Sequence, residues 1–236
     1  MEHPERKIKQ LEVLYEDNHI IAVNKQPSDI VQGDKTGDKT LSDQVKAYIK
    51  HKYNKPGEVF LGVVHRLDRP VSGAILFART SKSLTRLNQM LKDHLISKTY
   101  WAVVKNLPAQ NEGHLVNFLT RNEAKNKTYV SQFEIKGSQR AELTYKLISS
   151  SDKYHLLEIE LLTGRHHQIR AQLAAIGLPI KGDLKYGFPR SNADGSIHLH
   201  ARRITFNHPV QNTPVGIVAN PPNDSVWNFF VENITR

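Results

Sequence analysis

The chain has 236 residues, enough for one large domain or two small ones, and 39% of them are hydrophobic, as in proteins with a real core. It contains no cysteine, which excludes disulfides and thiolate zinc sites and is compatible with a reducing compartment. Lys and Arg number 33 against 23 acids, a formal net charge of +10 that favours a polyanionic partner, nucleic acid first. No apolar run approaches the ~18 residues of a membrane span. Met1–Arg6 lacks the apolar stretch of a secretory signal.

Leu11–Tyr15 and Ile20–Asn24 are short apolar runs around a polar turn and predict a β-hairpin, followed by a Gly/Asp/Lys loop at Gly33–Lys39. Thr40 with Asp43 three residues on predicts a capped helix, with Leu41, Val45, Tyr48 and Ile49 on one face and an end before Pro56-Gly57. From Gly62 to Thr80, two apolar runs flank a polar insert that packs His65, Arg66, Asp68 and Arg69 into five positions. Pro70 and Gly73 punctuate it, so it predicts a loop. A carboxylate between two arginines favours its ionised form and suits a nucleophile better than a general acid. An isolated Asp-Arg pair, taken alone, reads as an ordinary surface ion pair.

Ser81 is read as the cap of a second helix with Leu84, Leu87, Leu91 and Leu95 at spacings of three and four. Lys98–Val104 predicts a strand, and Tyr100 taken alone reads as a core ring. Arg121–Lys127 is polar and basic and is read either as a flexible loop over the substrate or as a solvated stretch. Arg140–Ile148 and Tyr154–Leu162 alternate and predict an antiparallel hairpin. A helix after Thr163-Gly164 is expected to carry Ile169, Leu173 and Ile176 inward and to end at Gly177 and Pro179. Its first turns would crowd Arg165, His166, His167, Gln168 and Arg170 at the dipole-positive end, an anion site. Asn223 or Asp224 is expected to cap a last helix holding Val226, Trp227 and Phe230.

Three of these stretches together resemble one family. His65-Arg66-Leu67-Asp68, then Ser72-Gly73 and an apolar strand ending in Ala78-Arg79-Thr80, is similar to the central phrase of the RluA-type pseudouridine synthases. Lys98-Thr99-Tyr100 matches the family's K-x-Y segment, and Thr163 through Arg170 matches T-G-R-x-H-Q-I-R. The position before Ser72 is usually threonine in the family and is Val71 here. Pro179–Gly187, Leu199–Ala201 and His208-Pro209 also look like family segments, assigned to support of the cleft.

The resemblance implies one catalytic domain over residues 1–236, with no room for an S4 domain before Leu11. It implies a mixed α/β (α+β) fold with a central mixed, largely antiparallel sheet in two halves, flanking helices and an active-site cleft. The implied activity is isomerisation of specific uridines to pseudouridine in structured RNA, ribosomal or transfer. The implied catalytic residues are Asp68 as nucleophile, Arg170 pairing with it through a planar fork, and Tyr100 stacking on the uracil or serving as a base. Substrate contacts are expected from Arg66, which would fill the place of a flipped base, and from His65, Arg69, Arg165, His167 and Gln168. No cofactor, metal, membrane or obligatory protein partner is implied, and a cytoplasmic monomer is expected. Two other readings compete: an RNA-binding protein of this fold without turnover, and a metal-dependent RNA hydrolase using His166, His167, His198, His200 and Asp183, which lack a recognised ligand spacing.

Overall fold

The structure is a computed structural model that describes residues 11–33 and 39–234. Met1–Arg6 and the interior of the Gly33–Lys39 loop fall outside the described residues. Strands β1 (Val13–Glu16) and β2 (Ile20–Lys25) form the expected hairpin. Thr40 caps α1 (Leu41–Lys52) reciprocally: its Oγ1 accepts from the Asp43 N–H, and the Asp43 carboxylate accepts from the Thr40 N–H. Leu41, Val45 and Ile49 are buried, as their spacing requires. The polar insert is a loop between β3 (Gly62–Val63) and β4 (Ser72–Ala78).

Helix α2 (Ser81–Lys92) is capped by Thr80, one residue before the expected Ser81; Thr80 Oγ1 accepts from the Ser83 N–H at 3.1 Å. Leu87 is fully buried. Leu95 lies beyond the helix end and is 60% exposed, because His94, at φ 56°, turns the chain out of helical register. The remaining strands are β5 (Ser97–Val104), β6 (Glu112–Asn122), β7 (Lys127–Ser131), β8 (Gln139–Ser150), β9 (His155–Leu161), β10 (Leu199–Asn207) and β11 (Pro214–Val218). Arg121–Lys127 is therefore the tight end of the β6–β7 hairpin, with Asn122 paired to Lys127, and not a free loop. Helix α3 (Gln168–Ala175) buries Ile169 and Leu173, but Ile176 follows its last turn and is exposed. Asp224 caps α4 (Ser225–Ile234), accepting from the N–H groups of Val226 and Trp227.

The eleven strands of the described residues join one sheet, ordered β1-β2-β4-β10-β5-β9-β8-β6-β7, with β11 on β10 and β3 on β4. Among the described residues every ladder is antiparallel except the short parallel one between β4 and β10. That ladder joins the two halves, and it requires Gly73: at φ 118°, any Cβ there would meet the Ala201 carbonyl oxygen at 2.4 Å. Alternation then sorts the core. Ile21, Val23, Ile75, Phe77, Tyr100 and Ala102 face α1 and α3, whereas Ile20, Ala22, Leu76 and Ile204 face α2. Trp227 and Phe230 of α4 cover Trp101, Val103 and Leu156. No helix among the described residues is long and apolar enough to cross a membrane.

Candidate active site

The β3–β4 loop and the start of α3 meet where the two halves of the sheet join. Arg170 Nη1 donates to Asp68 Oδ2 at 2.9 Å across 102 residues of sequence. The guanidinium is buried, while the Asp68 side chain keeps 30% of its surface open. The carboxylate is thus held from behind and presented forward. The fork, however, grips a different acid. Arg170 Nε and Nη2 donate to Asp183 Oδ2 and Oδ1 at 2.7 and 2.9 Å, and Asp183 is 1% exposed. Asp68 receives a single hydrogen bond, which corrects the expectation of a planar fork onto the nucleophile. Asp183, which follows Gly182 in a segment read as support, fixes the guanidinium plane. Burial works against the Arg170 charge, but the hydrogen bonds and charges of Asp183 and Asp68 outweigh it and raise its pKa above the arginine value.

His167 approaches the same Asp68 oxygen as Arg170. Its backbone is left-handed, at φ 50°, one residue before α3 begins. Tyr186 Oη accepts from the Thr128 N–H at 2.8 Å and lies 3.0 Å from His167 Nδ1. Tyr186 O–H then donates to Nδ1, leaving the ring proton on Nε2, which sits 3.5 Å from Asp68 Oδ2. Burial drives the His167 pKa down to about 3, so the ring faces Asp68 neutral. The Arg170 guanidinium carbon lies 5.1 Å from the Tyr186 ring centroid. Tyr186 therefore touches both neighbours of Asp68.

The loop carrying Asp68 is pinned by Lys25, the last residue of β2. Its buried Nζ donates to the carbonyls of Gln26, Arg69 and Val71 at 3.1, 3.1 and 2.6 Å. Ser28 N–H and Ile197 N–H take the carbonyls of Arg69 and Pro70.

Tyr100 lies on β5 with its ring buried in the core that faces α3. Burial first, then the nearby Asp68 charge, raises its phenol pKa, so it stays protonated at neutral pH and is unsuited to be a ground-state base. Among the described residues its hydroxyl takes no hydrogen bond. Arg66 and Arg69 are exposed on the loop.

Two expected substrate contacts, His65 and Gln168, are tied into the structure. His65 Nε2 accepts the Leu76 N–H at 3.1 Å, and burial, helped by the Lys98 charge, lowers its pKa to about 3, so it is a structural acceptor behind β4. Gln168 Oε1 accepts from Thr163 Oγ1 and the Arg165 N–H, and its Nε2 donates to the Glu142 carbonyl, so it ties the turn before α3. Arg165 is exposed on that turn and donates to the Arg140 carbonyl at 3.1 Å. The anion site at a helix end is not formed as expected, because Arg165, His166 and His167 precede α3 and Arg170 is turned to its two carboxylates. The hydrolase ligand set is dispersed as well. Asp183 is held by Arg170, His200 lies between Ser72 Oγ and the Ala219 carbonyl, and His198 bonds Asn192 and Asp224. No group of three or more such side chains among the described residues is arranged to hold a metal. A groove of about 830 Å³ between α2 and β10–β11 includes none of the Asp68 cluster.

Two buried histidines, His167 and His200, and the partly buried His65 are expected to make the fold acid-sensitive. His65 and His167 sit at about 3 and His200 at about 4, against an ordinary value of 6.5, each chiefly through burial. The unfolded chain binds these protons first. Their stabilisation is full above about pH 6.5 and is lost as pH falls toward 3–4. The urea midpoint is expected to be lower at about pH 5 than at about pH 7, and equal midpoints would contradict the burial of these rings.

Residues 19–175 match the family described as RNA pseudouridylate synthase. An uncharacterized RNA pseudouridine synthase of Mycoplasma genitalium is 34% identical over 206 residues, 87% of this chain and 65% of that one. Ribosomal large subunit pseudouridine synthase D of Zymomonas mobilis is 30% identical over 233 residues, 94% of this chain and 73% of that one. For tRNA pseudouridine synthase C of Pectobacterium carotovorum the identity is 31%, over 89% of this chain and 58% of that one. The chain thus spans roughly two thirds of the length of such relatives, 65% of the Mycoplasma protein. Human RNA Pseudouridylate Synthase Domain Containing 4 superposes with a TM-score of 0.78 over 95% of this chain and 93% of its own, at 20% identity. Domain Containing 1 gives 0.72 over 100% and 98%, at 19% identity, and both likenesses show the fold. With its sheet, its central phrase and most of its length matched, the chain belongs to the RluA-type family of RNA pseudouridylate synthases.

Proposed function

We propose that this protein isomerises specific uridines in structured RNA to pseudouridine, with Asp68 as nucleophile. The observation that carries this reading is the half-open Asp68 carboxylate held at 2.9 Å by a buried arginine. The reaction breaks the bond from uracil N1 to C1′, turns the base, joins C5 to C1′ and releases the C5 proton while N1 takes one up. It needs no redox step and no external group, so a carboxylate, a cation behind it and a ring surface are enough. Arg170 pairs with Asp68 and aims it, and Asp183 aims Arg170. Tyr100 lies under the uracil with its hydroxyl protonated. Arg66 and Arg69, exposed on the same loop, reach the RNA strand around the flipped nucleotide. Relatives named for ribosomal and for transfer RNA put both classes within reach of this chain. We place it as a single catalytic domain acting as a cytoplasmic monomer without an obligatory protein partner. Chemical mapping of pseudouridine in total RNA from cells with and without the gene tests the reading. A site lost with the gene supports it and names the substrate; identical maps oppose it.

Tyr100→Phe is expected to bind RNA within about twofold of wild type and to turn over at least tenfold more slowly. The stacking face remains and only the free hydroxyl beside Asp68 is lost. Single-turnover rates measure this, and an unchanged rate would reduce Tyr100 to packing.

A further inference from the structure

Lys98 is a cation near the cleft that the reading above does not use. It stands two residues before Tyr100 on β5, about 7 Å along the strand. Its Nζ lies beside Gly164, on the turn that leads into His167 and Arg170; a Cβ on that glycine would sit 3.5 Å from it. It is also near enough to His65, three residues before Asp68, to help hold that ring uncharged. Lys98 therefore lies between the two segments that build the site. Among the described residues it makes no ion pair and no hydrogen bond. Burial alone pulls its pKa down, with no carboxylate opposing the shift. Next to it opens a cavity of about 120 Å³, lined also by Thr163, Gly164 and Glu160. Glu160 is already engaged, accepting from Thr99 Oγ1 at 2.7 Å with Arg203 3.9 Å away. A half-buried ammonium without a partner costs stability, and its place is explained by an anion that arrives from solvent.

We propose that Lys98 holds a phosphodiester of the RNA chain next to the uridine offered to Asp68. This rests on the RNA-modifying reading, because phosphate is the anionic group of that ligand. The distance along β5 from Tyr100 to Lys98 is close to that between a base and its own backbone phosphate. A uracil over Tyr100 thus brings a phosphate to Nζ. The contact places the strand and carries no sequence information.

The test is the salt dependence of binding to a short fluorescent oligouridylate, read by anisotropy for the wild type, Lys98→Gln, Lys98→Met and Lys98→Arg. Each phosphate contact contributes about 0.7 to the slope of log K against log salt for a single strand. Both neutral variants are expected to lose about that much slope and about tenfold in affinity at low salt. Lys98→Arg is expected to keep the slope. Lys98→Met is expected to melt at or above the wild-type temperature, since an unpaired buried charge has been removed. An unchanged slope in the neutral variants overturns the proposal. So does a clear loss of melting temperature or of folding in both, which would make Lys98 structural. Binding is measured apart from turnover. A protein that modifies no RNA but shows the slope change keeps this site and loses the activity; an active protein without the slope change loses only the site.

Discussion

Asp68→Asn is expected to abolish isomerisation, by at least ~10⁴-fold, while RNA affinity stays within a few fold of wild type. The amide is nearly isosteric with the carboxylate and can still accept the Arg170 Nη1 hydrogen bond, so the loop pinned by Lys25 keeps its shape. What disappears is the anion that attacks. The measurement is pseudouridine formed under single-turnover conditions by protein purified from a host lacking the wild-type gene. Turnover above a trace would remove Asp68 from the role assigned to it.

Arg170→Met is expected to have a double effect because the guanidinium serves two carboxylates. It strips Asp68 of its cation, for an activity loss of about 10²–10³-fold, comparable to removing one donor from a charge-stabilising site. It also leaves Asp183 buried without its partner, which costs about 3–5 kcal/mol of stability. Arg170→Lys is expected to be milder in both respects, since it keeps the charge but cannot meet both acids from one plane. The double variant Arg170→Met/Asp183→Asn separates the effects. Removing the stranded charge restores much of the stability and none of the activity. Denaturant midpoints and single-turnover rates on the four proteins decide the matter. Equal losses in the single and the double variant would mean that Asp183 does not depend on Arg170 for its burial.

The parts of the fold that were legible in the sequence are those whose signal is local. Thr40 with Asp43, the alternation of Ala141, Leu143 and Tyr145, and the turn residues around Asp68 each report on a few neighbours. β6 carries no such signal. Its residues are mostly half-buried or exposed in an outer part of the sheet, so its composition does not alternate cleanly. α2 and α3 were over-extended by one leucine and one isoleucine because helical spacing persists past the residue where the backbone turns, at His94 and Gly177. At the candidate site, spacing in the chain brought Asp68 and Arg170 forward as separate motifs. The pairing of the fork with Asp183 was not legible, since it depends on the direction in which a side chain leaves α3. Gln168 was misread for a similar reason: a polar residue in a basic run looks like a ligand contact, but this one is buried and consumed by the turn beside it. Lys25 gave no sign of its task, because its three acceptors are backbone carbonyls and any residue supplies those.

The parallel ladder between β4 and β10 also bears on how the chain is made. Its partners are Ser72 with His200 and Gly73 with Ala201, so one side of an entirely buried, apolar strand waits for residues well over a hundred positions later. During synthesis β2, itself paired with β1, and β3 can join β4 early, but the Ser72–Gly73 end of the edge opposite β2 stays open until β10 leaves the ribosome. An open apolar edge is a template for pairing with another chain. The nascent protein is therefore expected to be most prone to aggregate over that interval. Ribosome-bound chains halted before residue 199 should engage holding chaperones more strongly than chains halted beyond β11. The same long wait means that Asp68 and Arg170 meet only late in folding, so a partly made chain carries an Asp68 that has nothing to aim it.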